Sequence, residues 1–270
     1  MTFEFERTTL RGTARFEGVG IHTGTPCTVT VEPGDDAIAF WNAGSRFAAK
    51  PSSITDTPRS TILGPVRTIE HLMSALAGIG ITDAEIHVQG DELPILDGGA
   101  LDFVEGLKSV GSEPTGKRSA FSLYGRVNLQ DAGQTMHVSV GEGRWRYVYD
   151  AGDRFPGVQS FEIRLSADRY ASEIAPARTF AFDEEIAAIQ AAGLGLGGDA
   201  RNTLVVGREG YLTEAKWPDE PARHKLLDCI GDLALAGVPP RFLNVVAERS
   251  GHSINVQAAA RLSELCRWED

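Results

Sequence analysis

Hydrophobic and polar residues alternate along the first third of the chain, the period-two pattern of half-buried strands. Residues 8–16, 27–31 and 37–41 carry it, separated by the turn-forming runs Gly18-Val19-Gly20 and Pro33-Gly34-Asp35-Asp36. The period then lengthens. Residues 69–77 read as a helix, with Thr68 placed to cap it and Gly78 to end it. Residues 84–88 return to a strand, and 100–108 form a short amphipathic helix. Residues 111–117 have turn composition and little to bury, which marks them as a linker. Beyond them come strands at 119–129, 134–140, 145–149 and 161–165, a helix at 182–192 and a strand at 203–206. A long helix at 221–236, a strand at 242–247 and a helix at 255–267 complete the chain. Both halves run strands, helix, strand, helix. This order predicts an α+β protein of two similar domains, 1–114 and 119–270, although no residue-level repeat is visible.

The long helix carries the most chemistry. Residues four apart share a stripe at 3.6 residues per turn, and His224, Asp228 and Asp232 form one, with Lys225 beside its first turn. The rest of the circumference is Leu226, Leu227, Cys229, Ile230, Leu233, Ala234 and Leu235. A helix apolar nearly all round is expected to be buried. A solvated ion-pair helix also presents His and Asp one turn apart, but buried charges need a partner or a metal. A histidine and a carboxylate at this spacing suit two adjacent zinc positions. Asp232 could instead orient another histidine.

A second pair, Glu70-His71, falls at the start of the first-half helix. There the dipole favours an ionised carboxylate and a neutral imidazole, the form that ligates metals. Taken alone, the same pair also reads as a dipole-complementing glutamate beside an exposed histidine. His252, in Arg249-Ser250-Gly251-His252-Ser253, and His22, in Gly20-Ile21-His22-Thr23-Gly24, sit in glycine-flanked loops. His87 and His137 fall within strand patterns and read as structural.

Bulk properties narrow the options. The 270 residues suffice for one or two domains. A net charge of -11 lacks the basic field of a non-specific nucleic-acid binder. No stretch approaches the roughly 20 apolar residues of a membrane span, and the acidic start of the chain lacks a secretory pattern. Cys27, Cys229 and Cys266 are too few and too far apart for a disulfide framework. A cytoplasmic monomer is expected.

With these residues assembled, the chain resembles the UDP-3-O-acyl-N-acetylglucosamine deacetylase family of lipid A synthesis. The likeness runs in order through Gly18-Val19-Gly20-Ile21-His22-Thr23-Gly24, Thr68-Ile69-Glu70-His71-Leu72 and Glu92-Leu93-Pro94-Ile95-Leu96-Asp97-Gly98. It continues through Ala177-Arg178-Thr179-Phe180, Leu196-Gly197-Gly198, His224-Lys225-Leu226-Leu227-Asp228 and Ser250-Gly251-His252. The resemblance implies that His71, His224 and Asp228 bind Zn2+, a site that can also accept Fe2+. It implies Glu70 as general base and His252 as cationic acid, with Asp232 orienting His252. Thr179 would help hold the oxyanion. Phe180, Lys225 and Gly198 would contact the substrate, a UDP-linked acylated amino sugar. The implied fold has two domains, each a sheet with two helices, and the helices packed between the sheets. The second domain would carry an insert that forms a passage for the acyl chain.

Two departures from the family pattern stand out. The insert reads Asp199-Ala200-Arg201-Asn202-Thr203, with alanine where a large apolar residue is usual. The stretch Leu63-Gly64-Pro65-Val66 before the Glu-His motif is shorter than usual. The first leaves open an amidase acting on a different N-acyl sugar nucleotide. A non-catalytic sugar-nucleotide-binding paralogue would have no need of Glu70 and His252 together.

Overall fold

In the computed structural model, which describes residues 2–269, the alternating segments of the first half form strands β1 (Thr2–Leu10), β2 (Ala14–Val19), β3 (Pro26–Pro33), β4 (Ile38–Asn42), β5 (Ser45–Ala48), β6 (Ile54–Asp56) and β7 (Ile62–Leu63). Helix α1 (Glu70–Ile79), β8 (Ala84–Gln89) and α2 (Leu101–Val110) follow. The second half begins with β9 (Ser112–Leu123), β10 (Val127–Asp131), β11 (Gln134–Val140), β12 (Arg144–Asp150) and β13 (Val158–Arg164). Next are α3 (Ala167–Glu173), β14 (Thr179–Phe182), α4 (Asp183–Ala191) and β15 (Thr203–Val206). Helix α5 (Glu220–Ala234), β16 (Leu243–Glu248), α6 (His252–Leu265) and β17 (Cys266–Glu269) end the chain.

The expected doubling is present in the sheets. One has the order β2-β3-β8-β4-β5 and the other β10-β11-β16-β12-β13. In each, the central strand runs antiparallel to one neighbour and parallel to the other: β8 to β3 and β4, β16 to β11 and β12. A parallel neighbour needs a long crossover, and α1 and α5 lie on those two crossovers. The helices lie between the sheets: α2 packs on β2, α1 on α2 and α5, and α5 on β12 and β13. Along α5 only Arg223, Lys225 and Ala234 escape full burial, as its apolar circumference requires. Helix α1 approaches α5 tightly at Gly231, where an added methyl group would overlap the carbonyl oxygen of Glu70.

Several expectations are corrected. Residues 111–117 are not a free linker: from Ser112 they are the first half of β9, paired antiparallel with β1. Backbone pairing holds this largely exposed stretch without a buried face, so composition gave no sign of it. β17 pairs with the other side of β9, making a three-stranded sheet of β1, β9 and β17. The run 8–16 breaks between Leu10 and Ala14, and 119–129 breaks between Leu123 and Val127. Helix α1 ends at Gly80, which takes the left-handed conformation at φ 87, two residues after Gly78. Thr68 does not cap α1. It holds φ 60, and its hydroxyl donates to Glu92 at 2.9 Å. A β-branched residue rarely adopts that φ.

Candidate active site

His71 comes from the first turn of α1, His224 and Asp228 from successive turns of α5, so the contact between these helices gathers all three. Each residue is nearly sealed from solvent, at 4%, 2% and 2% exposure. His71 Nδ1 donates to the carbonyl of Gly99 at 2.9 Å, and His224 Nδ1 to that of Ala177 at 3.0 Å. A carbonyl only accepts, so both rings carry their proton on Nδ1 and present the Nε2 lone pair inward. Those Nε2 atoms stand 3.8 and 3.5 Å from Asp228 Oδ1. That oxygen is buried and has no hydrogen-bond partner among the described residues. A solitary acceptor facing two lone pairs is repulsive unless a cation sits among them. The three donor atoms lie within 4.8 Å of one another, and the group could hold a metal ion.

Electrostatics agree with that arrangement. Burial pushes the His224 imidazole down to about 4 and lowers His71 as well, keeping both neutral. Burial works against the Asp228 carboxylate, but the neighbouring cations Lys225 and His252 outweigh it and hold it well below the usual carboxylate range.

Glu70 and His252 face the same space. His252 Nε2 is 3.8 Å from Glu70 Oε1 and 4.0 Å from Asp228 Oδ2. Burial pushes Glu70 up to about 8, while His252 pulls the other way. Burial alone would lower His252, but Asp232, Glu70 and Asp228 raise it to about 9. His252 Nδ1 lies 3.0 Å from Asp232 Oδ2. The arrangement sets a carboxyl group and a cationic imidazole on one small pocket, the pairing that general acid–base chemistry needs.

The remaining predicted residues surround a cavity of about 410 Å³ that opens from this point. Phe180 walls it, set edge-on to His224 at 6.1 Å. Lys225 Nζ lies 5.8 Å over the Phe180 ring and 2.8 Å from Asp228 Oδ2. Thr179 and Gly198 line it too, and the N–H of Thr179 is tied to the Gly98 carbonyl at 2.8 Å. Ile186 and Ile189 of α4 and Val205 of β15 give the far wall its apolar character. Ala200 sits in that wall, and the neighbouring charges bond each other: Arg201 reaches Asp199 at 2.6 Å with its own side chain 91% exposed. The insert thus loses bulk at Ala200 without turning Arg201 inward.

Sequence reasoning missed Thr61, Asn255 and the two main-chain acceptors at Gly99 and Ala177. His22 joins the site and lines the cavity. His87 stacks on Trp41 at 5.9 Å and His137 bonds Asn128 at 2.8 Å, both in their sheets.

The family model described as LpxC, UDP-3-O-acyl N-acetylglycosamine deacetylase, matches residues 7–264. The chain belongs to this family. Relatives named UDP-3-O-acyl-N-acetylglucosamine deacetylase include one from Anaeromyxobacter dehalogenans (strain 2CP-C), 38% identical over 88% of this chain and 81% of its own. Another, from Syntrophotalea carbinolica (strain DSM 2380 / NBRC 103641 / GraBd1), is 35% identical over 95% of this chain and 87% of its own. A third, from Nostoc sp. (strain PCC 7120 / SAG 25.82 / UTEX 2576), is 33% identical over 92% and 95%. As a member of this deacetylase family the chain is an enzyme. Among the described residues, no helix is long and apolar enough to cross a membrane.

Proposed function

We propose that this enzyme hydrolyses the acetamide of UDP-3-O-acyl-N-acetylglucosamine, giving acetate and the free amine, with zinc held by His71, His224 and Asp228. The observation that carries the reading is the placement of Glu70 and His252 on one pocket with the metal-binding group. Tetrahedral zinc bonds of about 2.0–2.1 Å need donor atoms about 3.3 Å apart, close to the 3.5 and 3.8 Å found. Ferrous iron fits the same donors. A bound divalent cation supplies a Lewis acid that acidifies water, polarises the carbonyl and keeps Glu70 ionised.

Glu70 takes a proton from the attacking water. The oxyanion that develops accepts hydrogen bonds from Thr179 and His252. His252 then gives its proton to the departing nitrogen, since an amine leaves poorly as an anion. Asp232 keeps the His252 ring in register throughout. Lys225 and Phe180 hold the sugar nucleotide, and the apolar cavity takes the acyl chain. The protein works as a cytoplasmic monomer in lipid A synthesis, residues 1–114 and 119–270 acting as its two units.

The test is acetate release by the zinc-loaded protein from acylated and unacylated UDP-N-acetylglucosamine. The reading expects turnover of the acylated compound, with a kcat/KM far above that of the unacylated one. Equal rates would favour an amidase of another N-acyl sugar nucleotide, the alternative that Ala200 motivates. No acetate from either would overturn the assignment.

A further inference from the structure

We propose that Thr61 is a positioning residue that ties the proton acceptor of this reaction to its proton donor. The inference rests on the reading of Glu70 as base and His252 as acid. Thr61 immediately precedes β7 and has no exposed surface. Its peptide N–H donates to Glu70 Oε2 at 3.0 Å, and its carbonyl accepts from Ile69 N at 3.3 Å. Both main-chain groups are therefore committed to the entrance of α1. Its hydroxyl reaches the other way, donating to Asp232 Oδ1 at 2.5 Å, 171 residues along the chain.

The proton count then fixes the rest. A hydroxyl has one hydrogen, and Thr61 donates it to Asp232 Oδ1. Thr61 Oγ1 also stands 3.3 Å from His252 Nδ1. With its own hydrogen spent, the oxygen can only accept, and the ring nitrogen must be the donor. The Nδ1–H of His252 is thus shared between Asp232 Oδ2, at 3.0 Å, and Thr61 Oγ1. Asn255 Nδ2 fills a further site on Asp232 Oδ2 at 2.9 Å. This leaves His252 Nε2 directed at the reacting side of the pocket, facing Glu70 Oε1. One residue sets the orientation of the base through its backbone and that of the acid through its side chain. A displacement of either carboxylate is passed to the other through Thr61.

Valine nearly matches threonine in shape but lacks the hydroxyl. In Thr61→Val the backbone hold on Glu70 stays, Asp232 Oδ1 becomes a buried acceptor without a donor, and His252 loses its second acceptor. Groups that orient active residues from one remove typically account for about 10- to 100-fold in activity.

The experiment measures kcat, KM and metal content for wild type, Thr61→Val, Thr61→Ser and Asp232→Asn, and for Thr61→Val combined with Asp232→Asn. Thr61→Val is expected to keep its metal and KM while kcat falls by about 10-fold or more. Thr61→Ser, which keeps the hydroxyl, should stay within about 3-fold of wild type. In the Asp232→Asn background, Thr61→Val should add little, because both changes break one network. If Thr61→Val does not fold, Thr61→Ala removes the same hydroxyl with less bulk. Wild-type kcat in the hydroxyl-free variant overturns the proposal. So does a Thr61→Ser enzyme as slow as Thr61→Val, or an undiminished effect in the Asp232→Asn background. No acetate release by the wild type overturns the functional reading and this proposal together, whereas an active wild type with an equally active Thr61→Val overturns the role of Thr61 alone.

Discussion

Replacing Gly231 by alanine tests whether the contact between α1 and α5 sets the site's geometry. A methyl group there would overlap the Glu70 carbonyl oxygen, and would lie 2.9 Å from the carbonyl carbon and 3.1 Å from Ser74 N. Ordinary contact distances require the helices to part by about 1 Å. Both obstructing groups are main chain, so no side chain can swing aside. Alanine in a helix interior gains about 1 kcal/mol over glycine, while overpacking of a tight core costs about 1–3 kcal/mol and occasionally more. With backbone on both sides the cost sits at the upper end, and a net loss of about 2 kcal/mol follows. For a chain of this size that lowers Tm by about 4–8 °C. The effect on chemistry should be larger. Helix α1 carries Glu70 and His71 while α5 carries His224 and Asp228, and a misplacement of about 1 Å can cost on the order of 10²-fold in rate. Thermal melting and acetate release, measured well below Tm, separate the two effects. A Gly231→Ala protein with wild-type Tm and turnover would refute the reasoning.

Four further outcomes are expected. Glu70→Ala should lose on the order of 10²–10⁴ in turnover while retaining its metal; full activity would remove Glu70 as the base. Chelation should abolish turnover and lower Tm, with recovery on adding back zinc; activity unaffected by a chelator would refute the metal assignment. Glu220 accepts from Arg178 N, Arg178 Nε and Lys216 N at 3.1, 2.9 and 2.7 Å, so Glu220→Ala strands a buried guanidinium. Urea unfolding should show a loss of about 3–5 kcal/mol, partly recovered when Arg178 is also made apolar; a loss under 1 kcal/mol would contradict the pair's importance. For pH, burial lowers His224 from the ordinary 6.5 to about 4. The metal-free fold therefore has this group's full contribution above about pH 6.5 and loses it as pH falls through about 4, about 3 kcal/mol in all. His224→Gln should show a correspondingly shallower decline between pH 7.5 and 4; an identical decline would exclude His224 as its source.

What was legible in the sequence follows from what each residue's surroundings imprint on its neighbours. The stripe His224, Asp228, Asp232 was readable because the apolar residues around it repeat with the helical period, and a buried polar line stands out against them. The Glu70-His71 pair was a weaker signal by spacing, and resemblance joined it to α5. Thr61 left no trace: a threonine before a two-residue strand has no periodic context, and its side-chain partners lie on α5 and α6. The carbonyls of Gly99 and Ala177 could not be read at all, since every residue has one. Helix α3 escaped notice because only Tyr170 among its residues is buried, and the first half of β9 because exposed backbone pairing imposes no alternation.

The shared strand order has a kinetic side. In each sheet the middle strand is made last, β8 after β2 to β5 and β16 after β10 to β13. The outer hairpins β2–β3 and β4–β5 close local loops and can form early. Strand order predicts that they stay unjoined until the crossover helix has been made and the final strand slots between them. The step that completes each sheet therefore also delivers a helix bearing side chains of the candidate metal site to its packed position. Opening either sheet to solvent means extracting its central strand, so hydrogen exchange is expected to be slowest at the amides of β8 and β16.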